Sequence, residues 1–157
     1  MTKAYDKAWL EAIIYVMHKQ GLNTQEWTLA KMLNENLVAE IKTKYGKTRE
    51  IHIRDSIRQG GVLSVMQYAL LMDEINKEIE ANNLGTTIEG VDQKIGCLLW
   101  MDDVVLVSGD QQELQKMLNI TNEIAGRYHI EFGKEKSKVM KIGRSKKLPK
   151  FTLGEMY

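Results

Sequence analysis

The chain has 157 residues, 43% of them hydrophobic, and 22 Lys and Arg against 21 Asp and Glu give a formal net charge of +1. That is enough chain and enough apolar content to bury a core as a single domain, with an ordinary globular composition. Nothing in the overall charge marks a nucleic-acid binder, so any such surface must come from local placement of Lys and Arg. No apolar stretch is long enough to span a bilayer, and the lone Cys97 excludes an internal disulfide.

From Asp6 the apolar positions Trp9, Leu10, Ile13, Ile14 and Met17 recur at helical spacing and stop at Gly21, a C-terminal cap residue, which predicts an amphipathic helix. A second helix is expected from Thr24 to Asn36, with Trp27, Leu29, Ala30 and Leu33 on its buried face. The period then changes to two. Leu37 to Lys44 and Thr48 to Arg54 alternate around Tyr45-Gly46-Lys47, the pattern of a hairpin with a glycine turn.

Ser64 with Gln67 three positions on is a capping-box pair, and it opens a helix carrying Val65, Tyr68, Ala69, Met72, Ile75 and Ile79 to an end near Asn82-Asn83. A hairpin is expected next, and after it Asp110 with Glu113 opens a helix presenting Leu114, Met117, Leu118, Thr121, Ile124, Ala125 and Tyr128 on one side. Short strands are expected at Ile130 to Phe132 and Lys138 to Ile142, with a third near Phe151 to Leu153. This order of elements favours an α+β fold, an antiparallel sheet with helices on one face. Lys141, Arg144, Lys146, Lys147 and Lys150 around the single Pro149 read as a solvated basic edge, with phosphate contact as the alternative.

The most informative residues are Asp102 and Asp103, which interrupt the apolar runs 95–101 and 104–107. Runs of that kind separated by so short a break fold back antiparallel and place two carboxylates at the tip. Ionised oxygens held close together repel unless a positive charge sits among them, and hard oxygen ligands suit Mg²⁺ or Mn²⁺. The competing reading is that Asp is a good turn residue, tolerant of left-handed backbone and able to cap its own turn. His18, His52 and His129 are scattered without ligand spacing and are assigned to structure or surface.

Taken in order, Lys3-Ala4-Tyr5-Asp6, Arg58-Gln59-Gly60-Gly61-Val62-Leu63-Ser64, Trp100-Met101-Asp102-Asp103 and Gly133-Lys134-Glu135-Lys136-Ser137-Lys138 resemble the succession of palm motifs in reverse transcriptases. The resemblance is closest to non-LTR (LINE-type) retrotransposons and covers nearly the whole chain. It implies a partial polymerase palm over residues 1–143, with 144–157 a basic tail or the start of the next segment. Asp102 and Asp103 correspond to the acidic pair of the aromatic-x-Asp-Asp box, with Trp100 where Tyr or Phe is usual. They are the implied catalytic residues and ligands of Mg²⁺ or Mn²⁺ in a two-metal nucleotidyl transfer. Tyr5 falls where a ring packs beneath the nucleotide sugar. Gln59, Gly60 and Gly61 fall in the loop beside nucleotide and template, where glycines let backbone approach closely. Lys136 falls on a lysine associated with the nucleotide phosphates.

The same resemblance places a further metal-binding Asp, with its strand, just ahead of Met1 and Thr2. Asp6 lies a helical turn further on and does not replace it. The expectation is therefore a palm fragment, inactive by itself, whose intact parent would bind an RNA template, a DNA primer and dNTP. An open sheet edge would invite self-association. Its alternatives are a non-enzymatic remnant and a small Mg²⁺-binding or partner-binding α+β module. The opening Met1 to Asp6 lacks the apolar core of a signal peptide, so an intracellular, non-membrane protein is expected.

Overall fold

The computed structural model describes residues 8–35, 37–53, 57, 61, 63–143 and 150–153. The chain divides into two compact units, Tyr5–Leu71 and a second made of Met1–Ala4 with Met72–Tyr157. Among the described residues the elements are α-helices and three two-stranded antiparallel ladders, an α+β architecture as expected.

In the Tyr5–Leu71 unit, α1 (Leu10–Lys19) buries Leu10, Ala12, Ile13, Val16 and Met17 on one face. It ends at Gly21, whose φ of +93° admits the reversal in which Gly21 N–H donates to His18 O and Leu22 N–H to Met17 O. Helix α2 (Thr24–Asn34) starts at Asn23 with a complete capping box: the Asn23 side chain accepts from the Gln25 and Glu26 amides, and Glu26 accepts from Asn23 N–H. It packs on α1, and the Trp27 indole donates to Ile14 O at 3.1 Å.

The expected face of α2 is corrected here. Only Ala30 is buried, whereas Leu29 and Leu33 are more than half exposed. Trp27 and Ala30 turn the helix toward α1, and Leu29 and Leu33 stand too far round it to follow.

The hairpin from Leu37 to Ile53 is built of β1 (Val38–Ala39) on β4 (Ile51–His52) and β2 (Lys42–Thr43) on β3 (Gly46–Lys47). Its turn is Lys44-Tyr45, one residue earlier than expected, and Gly46 closes it at φ +128°. Lys42 faces Lys47 but Ala39 faces Ile51, so the returning strand carries one extra residue, a bulge. Thr48 bridges that offset, its amide donating to Ile41 O and its hydroxyl accepting from Ile41 N–H.

Helix α3 (Ser64–Ala81) begins in this unit and from Met72 onward belongs to the other. Tyr68, Met72, Ile75 and Ile79 are buried as expected, Ser64, Gln67, Leu71 and Glu74 are buried beside them, and the expected Val65 and Ala69 are exposed. The burial stripe passes through the 64/68/71/75 row and leaves those two on its far side. Asn83, at φ 51°, ends the helix with Leu84 N–H donating to Ile79 O.

The second unit holds β5 (Cys97–Trp100), β6 (Asp103–Leu106) and α4 (Gln111–Arg127), with α4 packed along β6. Met117, Thr121, Ile124, Ala125 and Tyr128 face its core, as expected, while Leu114 and Leu118 are half-buried. The strands expected at 130–132 and 138–142 do not form. That stretch is irregular apart from a 3-10 turn at Lys134–Lys136, and Val139, Met140 and Ile142 are exposed. Phe151 to Leu153 is also not a strand, although Thr152 pairs its backbone with the Gln115 side chain. No helix among the described residues is long and apolar enough to cross a membrane.

Candidate functional site: the acidic hairpin tip

The hairpin carrying Asp102 and Asp103 starts from a crossing of two glycines. Thr86 and Ile95 exchange two 2.9 Å backbone hydrogen bonds, and Val107 N–H donates to Gly96 O at 2.8 Å, so the approach to β5 has neighbours on both edges. Gly85, at φ +128°, and Gly96 make that crossing possible. A Cβ on Gly96 would lie 2.5 Å from Leu84 O and 2.8 Å from the Ile79 side chain, and one on Gly85 would lie 2.5 Å from Gly96 N.

Past the crossing, the register runs Cys97↔Leu106, Leu98↔Val105, Leu99↔Val104 and Trp100↔Asp103. Met101 and Asp102 form the two-residue turn, and Asp103 is the first residue of β6. The pair thus sits at a hairpin tip as expected, with Asp102 half-buried and Asp103 exposed. The strands are not buried on both sides, however. Cys97, Leu99, Val104 and Leu106 turn inward, while Leu98 and Val105, both more than half exposed, and Trp100, at 77%, turn out. Period-two geometry forces this, because an apolar run long enough for two faces finds only one covered.

Two-residue hairpin turns need positive φ, and here it falls on Met101, at 55°. The acidic residues carry none of that left-handed strain. The conformational half of the turn-residue reading therefore does not account for either aspartate. Neighbouring carboxylates offer the hard oxygens that Mg²⁺ and Mn²⁺ take. Among the described residues, no three His, Cys, Asp or Glu side chains gather into a group able to hold a metal ion.

Beyond β6 the chain turns into α4 through a polar knot that the capping-pair reading did not foresee. Asp110 accepts from Glu113 N–H at 2.9 Å, the expected half of the box. Glu113 does not return to the Asp110 amide. It accepts from the Ser108 hydroxyl and pairs with Lys94 at 3.4 Å, while Asp110 N–H donates to Ser108 Oγ. The Ser108 hydrogen bond, opposed by burial and assisted by the Gly85 amide and Lys94, holds the Glu113 carboxyl below its usual value. Ser108-x-Asp110 ahead of Glu113 was the available signal. Cys97, beneath the hairpin, has its thiol pushed up to about 11 by burial and by the charges of Asp73 and Glu80, which leaves it protonated and inert at neutral pH.

The remaining site residues named from sequence are distributed as follows. Lys136 is exposed at the end of the 3-10 turn, in the same unit as the aspartates. Gly61 belongs to the Tyr5–Leu71 unit, where its carbonyl accepts from Ser64 N–H at the start of α3. Tyr5, Gln59 and Gly60 lie outside the described residues. That unit also has a groove of about 920 Å³ lined by Trp9, Tyr15, His18, Trp27, Lys31 and Ile53 among others.

An α+β chain with an acid-tipped antiparallel hairpin backed by a helix is the class of protein that these elements define. The family model described as reverse transcriptase (RNA-dependent DNA polymerase) matches residues 1–152, and the chain belongs to that family. Compared with curated proteins, the chain finds no match.

Proposed function

We propose that the chain is a palm segment, over residues 1–143, of a retroelement RNA-directed DNA polymerase of the non-LTR type, with Asp102 and Asp103 as its metal-binding carboxylates. The observation that carries this reading is the division of labour at the tip: Met101 takes the left-handed backbone, so turn geometry does not require acid at 102 or 103. Two adjacent carboxylates at such a tip supply the hard oxygens that a divalent cation takes.

Asp102 and Asp103 would hold Mg²⁺ or Mn²⁺, which in this chemistry activates the attacking hydroxyl and neutralises the leaving pyrophosphate. The chain's own residues set position. The β5–β6 register fixes where the two carboxylates stand, and the knot around Glu113 anchors the return strand to α4. On the nucleotide side the proposal assigns Tyr5 to the sugar, Gln59, Gly60 and Gly61 to the base and template, and Lys136 to the phosphates. RNA template, DNA primer and dNTP are the partners it implies. Since no group of three metal-holding side chains is found among the described residues, the proposed centre needs a further ligand to hold two ions.

The test is primer extension on an RNA template with Mg²⁺ or Mn²⁺. It compares the 157-residue chain with a longer polypeptide in which the same segment is joined to fingers, thumb and the further metal-binding Asp. Extension is expected from the longer polypeptide alone, and Asp102→Ala or Asp103→Ala should lower it at least about a hundredfold. Full activity in both variants would exclude these residues as the metal site. An inert longer polypeptide that folds normally would favour the non-enzymatic reading.

A further inference from the structure

Helix α4 carries a second attachment besides β6, and it is made by one side chain reading another segment's backbone. Gln115 Nε2 donates to Thr152 O at 2.9 Å, and Gln115 Oε1 accepts from Thr152 N–H at 3.0 Å. This is the two-bond exchange that one strand makes with its neighbour, supplied here by a primary amide. The amide is held in place for it, because Nε2 also donates to Asn119 Oδ1, at 2.9 Å, one helical turn on.

Around Thr152 the burial alternates. Phe151 and Leu153 are half-buried while Thr152 is exposed, the period-two alternation of an extended segment with one face covered. Backbone pairing and two apolar anchors thus coincide on four residues that form no regular element of their own.

We propose that residues 150–153 are a strap and that Gln115 is its latch: breaking the amide pair releases the strap from α4 and leaves the helix and the β5–β6 hairpin folded. The geometry favours separability. Gln115 lies off the buried Met117, Thr121 and Ile124 stripe, so the core of the unit does not depend on it. Both hydrogen bonds that join Thr152 to the helix end on one side chain, whereas β6 reaches the helix by packing. Loss of two neutral hydrogen bonds should shift the local opening equilibrium by roughly tenfold or more.

Amide hydrogen exchange on the full chain tests this, read at Thr152 and across Met117–Ala125, together with tryptic cleavage after the exposed Lys150. Gln115→Ala should speed exchange at Thr152 and cleavage at Lys150 about tenfold, with the helix amides unchanged. Gln115→Glu keeps an acceptor for Thr152 N–H and loses the donor to Thr152 O, so it should fall between Gln115→Ala and the parent. Equal exchange at Thr152 in all three chains would overturn the latch. So would loss of protection that spreads through Met117–Ala125 in both variants, because Gln115 would then be holding the helix.

Discussion

Tyr128 donates its phenol hydrogen to Glu74 Oε2 at 3.2 Å, and both side chains are buried, each only 4% exposed. The bond ties the C-terminal cap of α4 to the middle of α3 across 54 residues of sequence. A buried carboxylate is stable only while donors face it. Tyr128→Phe removes one donor without changing the ring, so the chain should lose about 1–3 kcal/mol in urea unfolding. A midpoint equal to the parent's would show that this hydrogen bond contributes nothing.

Thr121 makes the opposite prediction. Its hydroxyl is buried on α4 and has no hydrogen-bond partner among the described residues. Thr121→Val replaces it with a methyl of similar volume and abolishes the desolvation penalty, which is about 1–3 kcal/mol for a buried hydroxyl. The expected result is a higher thermal midpoint. A lower one would mean that the hydroxyl is satisfied in solution.

The glycine crossing beneath the hairpin should tolerate no side chain. A methyl on Gly96 meets a backbone carbonyl, which cannot rotate aside as a side chain could. Gly96→Ala is expected to cost about 1–3 kcal/mol and to shift the amide resonances of Cys97 through Leu106. Unchanged hairpin resonances would contradict the close approach.

The Glu113 carboxyl titrates lower in the folded chain than its ordinary 4.5, chiefly through the Ser108 hydroxyl. Its contribution to stability is therefore complete above that ordinary value and disappears as pH falls through the depressed one. The stability gap between the parent and Glu113→Gln should be widest near neutrality and narrow as pH falls below the ordinary 4.5 and through the depressed value. Ser108→Ala should narrow the same gap at every pH where it exists. A gap that grows on acidification would reverse the sign assigned here.

Much of this arrangement is legible in the sequence, and the exceptions have physical causes. The cores of α1, α3 and α4 follow from 3.6-residue periodicity, and Gly21, Asn82-Asn83 and Asp110 mark helix ends where backbone chemistry requires them. The acid-tipped hairpin follows from two apolar runs with a two-residue break. What the pattern could not give is which faces are covered. Leu29, Leu33, Val65, Leu98 and Val105 all sit at sound spacings and remain exposed, because burial depends on a neighbour that periodicity does not name. Ile130 to Phe132 and Lys138 to Ile142 read as short strands yet find no partner ladder among the described residues, and a strand without one has no hydrogen bonds to hold it. Gln115 is missed for a related reason: a glutamine on a helix flank looks like solvated surface until a backbone 37 residues away is laid beside it.

The Trp100↔Asp103 pairing also sets a rule of length for the tip. Between those partners the chain has room for Met101 and Asp102 and nothing more, since the ladder resumes at once on both sides. Strand side chains alternate, so one inserted residue in β6 would carry Val104 and Leu106 outward and bring Asp103 and Val105 in. The deletion of one would do the same. A shift by a single codon at this point would change the face of all four residues of β6 at once, while leaving the composition almost untouched. Substitutions here are constrained by chemistry, but insertions and deletions are constrained by parity.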